Sequence, residues 1–199
     1  MANTLAASGF QPCASIGAAA PNYNLTPARI LYSLTNKIAQ FDPVILNSSG
    51  YIDIYTNGTT AGLYGIFMGC YYYNPSTQQV QFNKYWPGVS LGNSSYIVQA
   101  MVITDPSATF QVQVNGGPLL QSDIGWNMDV TTATTGAPNT AGISVASLVY
   151  SHQSATATLP FRIIDIVRSG ITAAYDPTAA NNWALVKMNA SVFQTGTGQ

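Results

Sequence analysis

The chain has seven aspartates and no glutamate, so paired-carboxylate chemistry would have to draw on two of those seven side chains. Asp42, Asp105 and Asp176 each precede a proline, which marks them as turn residues. Asp53 and Asp165 stand among apolar neighbours in strand-like runs, where an exposed pleat face explains them. Asp123 and Asp129 flank Gly125-Trp126-Asn127 and can cap or brace that turn. The single histidine, His152, lies in Ser151-His152-Gln153-Ser154, expected as a solvated loop between two strands. A Ser/His/Asp set assembles in space rather than in sequence, but the chain has no Gly-x-Ser-x-Gly elbow, and it has no Gly-rich phosphate loop. Cys13 and Cys70 show neither CxxC nor zinc spacing and are expected as two reduced thiols, Cys70 packed within a strand. No catalytic set, metal or cofactor is expected, and an Asp-dependent glycosidase is the weakest of the functional readings.

Aromatic side chains are the other candidates. Strand alternation puts Tyr71 and Tyr73 of the Tyr71-Tyr72-Tyr73 run on one face and Tyr72 on the other, and Tyr85-Trp86-Pro87 forms a second cluster. A sugar platform or a protein contact would use such residues, as would an ordinary packed sheet. Base stacking would call for interleaved Arg and Lys, and only Lys84 is near. Charge argues the same way. Six basic and seven acidic residues make 7% of the chain, with a net charge of −1, where about 25% is ordinary. So few cations cannot neutralise many phosphates, which disfavours nucleic-acid binding. The outside must instead be covered by uncharged polar groups, of which there are 20 Thr, 17 Ser, 15 Asn and 12 Gln.

The elements that hold these residues are strands. Phe110-Gln-Val-Gln-Val-Asn115 alternates strictly, and Tyr51-Ile-Asp-Ile-Tyr-Thr56 does so with Tyr51, Asp53 and Tyr55 on one face. Nine further runs carry strand-like composition: 28–34, 43–46, 63–73, 81–86, 96–104, 126–132, 143–150, 157–167 and 183–192. Turn signals such as Asn57-Gly58, Asn74-Pro75 and Asp105-Pro106 separate them, a spacing that suits a β-sandwich, jelly roll or barrel-like body. Only 119–124 and 177–182 could make a single helical turn, and 131–140 is a Thr, Gly and Pro loop. No repeat is visible in the sequence.

Residues 1–24 carry no charge, many Ala and scattered Gly and Pro, and are expected as an extended arm preceding a single β-rich domain over 25–199. Leu5, Phe10, Ile16 and Tyr23 are the anchors that such an arm could insert into a surface. The start has no basic stretch followed by an apolar one, and no run approaches 18 apolar residues, so neither an export signal nor a membrane partner is expected.

An ordered series of short pieces adds a resemblance. Gly9-Phe10-Gln11-Pro12, Phe41-Asp42-Pro43-Val44, Gly65-Ile-Phe-Met-Gly69, Tyr85-Trp86-Pro87-Gly88 and Ile103-Thr104-Asp105-Pro106 are followed by Phe110-Gln-Val-Gln-Val114, Asp123-Ile-Gly125-Trp-Asn127, Leu159-Pro-Phe-Arg-Ile163 and Val186-Lys-Met-Asn189. In order and spacing this series resembles the capsid cement, or decoration, proteins of tailed bacteriophages. The resemblance implies a non-enzymatic β-sandwich or jelly-roll protein on the outer surface of the virion's icosahedral capsid, assembled in the host cytoplasm. Its partners would be the major capsid protein and itself, as a homo-oligomer, dimer or trimer. For the capsid or oligomer contact, Phe10, Gln11 and Pro12 come first, because an anchor needs apolar area and a proline-fixed backbone. Tyr85 and Trp86 follow, then Tyr72, with Ile16 and Tyr23 along the arm. The alternative is a carbohydrate- or receptor-binding module of a virion tail, resting on the tyrosine cluster, Trp86 and the many amide side chains.

Overall fold

The structure, a computed structural model, describes residues 4–15, 25–58, 62–131, 141–167 and 179–194. In chain order its strands are β1 (Gln11–Ser15), β2 (Leu25–Ile30), β3 (Pro43–Leu46), β4 (Ile52–Ile54), β5 (Leu63–Asn74), β6 (Gln79–Asn83) and β7 (Val98–Ile103), then β8 (Ala108–Asn115), β9 (Asn127–Met128), β10 (Val130–Thr131), β11 (Ser147–Val149), β12 (Phe161–Ile166) and β13 (Trp183–Met188). The fold is all-β. Each of the eleven strand-like runs overlaps a strand, and the only helical segments among the described residues are two 3-10 turns, Gln121–Asp123 and Tyr150–His152. The first lies inside the expected single-turn segment 119–124.

The strands make two sheets, and each closes on itself. In the first, β2 pairs β7, β7 pairs β5, β5 pairs β3 and β3 pairs β4, all antiparallel, and β4 returns to β2 in parallel. In the second, β8 pairs β13, β13 pairs β12 and β12 pairs β9, all antiparallel. Only Asp129 separates β9 from β10; β10 then pairs β11 antiparallel, and β11 returns to β8 in parallel. Taken in chain order, both sheets therefore connect their strands 1-3-2-4-5-1, with the one parallel pair at the same place. Both also carry a bulge in the fourth strand against the fifth, at Met68 in β5 and Ile164 in β12. The repeat absent from the sequence is present in the pairing.

Closure explains the alternation. Ala28, Ile30, Val44, Ile52, Phe67, Cys70, Tyr72, Val98, Ala100 and Val102 fill the first barrel, and Ile38, Trp86 and Leu91 from its connections complete that core. Phe110, Val112, Val114, Phe161, Ile163, Ile166, Ala184, Val186 and Met188 fill the second. A bulge shifts phase by one residue, so the inward pairs Phe67/Cys70 and Ile163/Ile166 are three apart rather than two. Leu63, Ile66 and Ile103, which belong to strands of the first barrel, are buried in the core of the second. Each such side chain contributes about 1.5–3 kcal/mol on leaving water.

Two strands lie outside the rings. β6 pairs only the C-terminal half of β5, and β1 pairs β8. β1 and the residues before it correct the expectation of a separable arm. Phe10 is fully buried in the second core, its ring stacked on Phe161 at 4.1 Å. Gln113, buried on β8, donates to Thr4 O at 2.9 Å and accepts from the Ala6 N–H at 2.8 Å. Gly9 makes the entry possible: its φ is +72°, and a Cβ there would sit 2.7 Å from the Phe41 carbonyl oxygen. Ile16, Tyr23 and Asp176, with most of the loop 131–140, lie outside the described residues, and the described part of the segment 177–182, residues 179–182, is bend and not a helical turn.

Candidate interaction face

The acidic residues brace the fold. Asp42, buried at the start of β3, accepts the Ala39 N–H at 2.6 Å and the Ser144 hydroxyl, which comes from the second barrel. Burial outweighs those bonds and raises its carboxyl to about 6. Asp129, buried between β9 and β10, reaches the opposite way: its Oδ1 accepts Tyr55 OH at 3.0 Å and Val130 N–H at 2.8 Å, and its Oδ2 accepts Gly58 N–H at 3.3 Å. Burial, with the Asp129 charge beside it, pushes the Tyr55 phenol well above its ordinary value, so the phenol keeps its proton and donates. These two carboxylates are reciprocal ties between the barrels.

The other described aspartates act within one barrel or turn. Asp105 accepts the Ser107 N–H and hydroxyl at 2.8 and 2.7 Å, the turn role expected of it. Asp123 closes the 3-10 turn by accepting Leu120 N–H at 2.7 Å. Asp53 accepts from the Asn36 amide at 3.1 Å, and Asp165 from the Ile166 N–H at 2.8 Å. His152 is 48% exposed, with its Nδ1 3.9 Å from Asp129 Oδ2. It has solvent on one side and a carboxylate already holding three hydrogen bonds on the other. Among the described residues no three His, Cys, Asp or Glu side chains gather where a metal could bind. Both cysteines are free, Cys13 exposed and Cys70 buried in β5, where burial pushes the Cys70 thiol up to about 12.

Three of the contact residues expected from the sequence are interior, which corrects the assignment for those three. Phe10, Trp86 and Tyr72 are buried in the protein's own cores and cannot touch a partner. Trp86 donates its indole N–H to Leu34 O at 3.0 Å, and its ring meets Tyr72 edge-on at 5.3 Å. The Tyr72 hydroxyl accepts from the Gln81 amide at 2.6 Å. The physical reason is volume: a small closed barrel needs large side chains to fill it, and Trp86 and Phe10 are among the largest that are fully buried. Gln11, Pro12 and Tyr85 are half-buried. Pro12 stands opposite Phe110 in the β1–β8 ladder, and Tyr85 lies across Gly142, where a Cβ would meet its ring at 2.5 Å.

The pieces that carry the resemblance are joints of the same packing. Phe10 N–H donates to Phe41 O at 3.0 Å, Phe41 N–H to Phe67 O at 2.8 Å, and Phe67 N–H to Asp42 O at 2.9 Å. Gly125 N–H donates to Ile163 O at 3.0 Å, and Asn189 Nδ2 to Leu159 O at 3.0 Å. They say how the chain folds rather than what it touches.

What faces outward is a set of residues that the sequence reading did not select. β6 forms a hairpin with β5, placing Val80 opposite Tyr73 and Phe82 opposite Tyr71; Tyr71 in turn stands opposite Gln99 of β7, and Gln99 opposite Arg29 of β2. Paired residues share a face, and Tyr72 points into the barrel, so Tyr71 and Gln99 lie on its outer wall and Val80 and Phe82 continue that face on β6, beside the ring. Val80 is 71% exposed, Ile97 59%, Phe82 55% and Tyr71 41%. The Phe82 ring packs at 5.0 Å from that of Tyr71 and lies over Gly69, where a Cβ would meet it at 2.7 Å. Tyr73 packs on Tyr96 at 4.8 Å. Beside the row is a shallow open depression of about 370 Å³ lined by Pro27, Ala28, Arg29, Ile97 and Gln99. A signal for this face existed in the sequence: a hairpin folded at Asn74-Pro75 carries Tyr71 and Tyr73 onto the same side as Phe82 and Val80. Comparisons with family models, with curated proteins and with solved structures find no match.

Proposed function

We propose that the protein is a structural virion component that binds the outside of an icosahedral capsid and cements neighbouring major capsid proteins, without catalytic activity. The observation that carries this reading is the outward row Val80, Phe82, Tyr71 and Ile97 on the outer wall of the first barrel and its flanking strand β6. Burying such a row stabilises a contact through apolar area and aromatic packing, and a chain with 7% charged residues contributes few ion pairs for salt to weaken. The ordered motifs resembling cement proteins support the same reading, and the described aspartates are occupied with bracing. The contact residues are then the outer-wall row, with half-buried Tyr85, Gln11 and Pro12 at the rim of the body.

Quantitative mass spectrometry of purified virions tests this. A copy number equal to that of the major capsid protein, or a simple fraction of it, is the expected result. A few copies to a few tens per particle would instead favour a tail module, for which Tyr71 and Phe82 would form a sugar platform. Absence from the particle overturns both.

A further inference from the structure

β6 carries half of the outward row, and one of its two sides has no strand beside it among the described residues. A free strand edge offers a ladder of N–H and C=O groups to any other strand, and proteins usually blunt it with charge, proline or a bulge. β1, the other strand outside the rings, is blunted in this way, with Pro12 and a register shift between Pro12 and Ala14. β6 is not: Gln79-Val-Gln-Phe-Asn83 has no charge, proline or glycine, and its register against β5 is unbroken over five pairs.

We propose that β6 is the seam of a two-fold homodimer, in which Gln79–Asn83 of two copies pair antiparallel with Gln81 opposite Gln81 of the second copy. The register follows from the side chains. Centred on Gln81, each Val80 faces a Phe82 and each Gln79 faces an Asn83, so on both sides of the axis the outer wall reads Tyr73, Val80, Phe82, Tyr71 across the seam. Aromatic and β-branched residues directly opposite one another are favourable cross-strand pairs. Sliding by two residues sets Val80 opposite Lys84 or Phe82 opposite Gln78, and sliding by one turns the outer wall of one copy onto the same side as the barrel interior of the other. The pairing is isologous, so it closes at two copies instead of propagating. This deepens the cement reading, on which the benefit of a doubled contact face rests, although the seam itself is argued from β6 alone.

The full chain at about 100 µM is expected to sediment as a dimer, and Val80→Asp is expected to weaken dimerisation at least about 10-fold. Val80 is largely solvated, so an unchanged circular-dichroism melt separates lost association from lost folding. In a Cys13→Ser background, Gln81→Cys is expected to give a disulfide-linked dimer on mild oxidation, and Gln79→Cys alone none. A monomer, a trimer, a dimer indifferent to Val80→Asp, or cross-linking at Gln79 rather than Gln81 would each overturn the seam. A monomer that still decorates virions would remove the seam and leave the cement reading. A dimer absent from virions would do the reverse.

Discussion

The two barrels share strand order, pairing sense and the place of a bulge, but they complete their interiors differently. The first draws Ile38, Trp86 and Leu91 from its own connections. The second depends on residues from elsewhere: Phe10 from the N-terminal segment and Leu63, Ile66, Tyr55 and Ile103 from the first barrel. One topology thus yields a self-sufficient unit and a dependent one. The difference lies in which side chains outside a barrel's own strands reach its interior, connections in the first, and the N-terminal segment and strands of the neighbour in the second, and a pairing diagram does not show it.

This asymmetry can be broken by experiment. Trp86→Ala and Phe10→Ala each remove a fully buried aromatic and should cost about 3–5 kcal/mol. Their patterns should differ. Native-state hydrogen exchange should show Trp86→Ala exposing the amides of both barrels, because losing the first removes a wall of the second. Phe10→Ala should loosen β8, β12 and β13 while β2, β5 and β7 stay protected. Equal loss in both variants would end the distinction, and it would do so for the N-terminal segment too, whose removal should destabilise the body rather than merely detach an arm.

Next in size is a pH effect at the first barrel's tie. Asp42 has its folded pKa raised to about 6 from 3.8, so between those values the folded chain holds a proton that the unfolded chain has released. Its contribution is therefore full below the unfolded value and lost as pH rises through about 6, a change of about 2–3 kcal/mol. Urea unfolding at pH 4.5 and 7.5 should show this group favouring the acidic side, and Asp42→Asn should flatten the slope; parallel slopes would refute the assignment.

The second barrel's tie is smaller. Tyr55→Phe removes one of three hydrogen bonds to buried Asp129 and should cost about 1–3 kcal/mol. A double-mutant cycle with Asp129→Asn should show coupling, whereas additive effects would mean that the tie carries no energy. Smallest of all, Val80→Asp should leave monomer stability within about 0.5 kcal/mol, since a solvated strand position meets little packing.

Much of the fold was legible because strands declare themselves locally. Alternation in 51–56 and 110–115 marks a strand whatever its partners, and all eleven runs overlap one. β1 was not legible, since Gln-Pro-Cys-Ala-Ser has no alternating apolar residues and exists as a strand only because β8 leaves room beside it. Closure was illegible for the same reason, as it depends on returns such as Ile30 to Ile52 and Val114 to Leu148 that no window of sequence contains. The candidate site was read inside out. Alternation separated Tyr72 from Tyr71 and Tyr73, but the choice of Tyr72, Trp86 and Phe10 as contacts ignored the demand of a narrow barrel for its bulkiest side chains. Asp42 looked like a turn residue before proline, and it is one, yet one of its hydrogen-bond donors, Ser144, is 102 positions away.

The reciprocal carboxylate ties also have a mechanical meaning. Asp42 reaches from the first barrel to Ser144, while Asp129 reaches from the second to Tyr55 and Gly58. A force that slides one barrel along the other must part Asp42 from Ser144 and Asp129 from Tyr55 and Gly58. Two opposed hooks of this kind resist shear and fail together, so the joint between the barrels should yield abruptly under tension instead of creeping open.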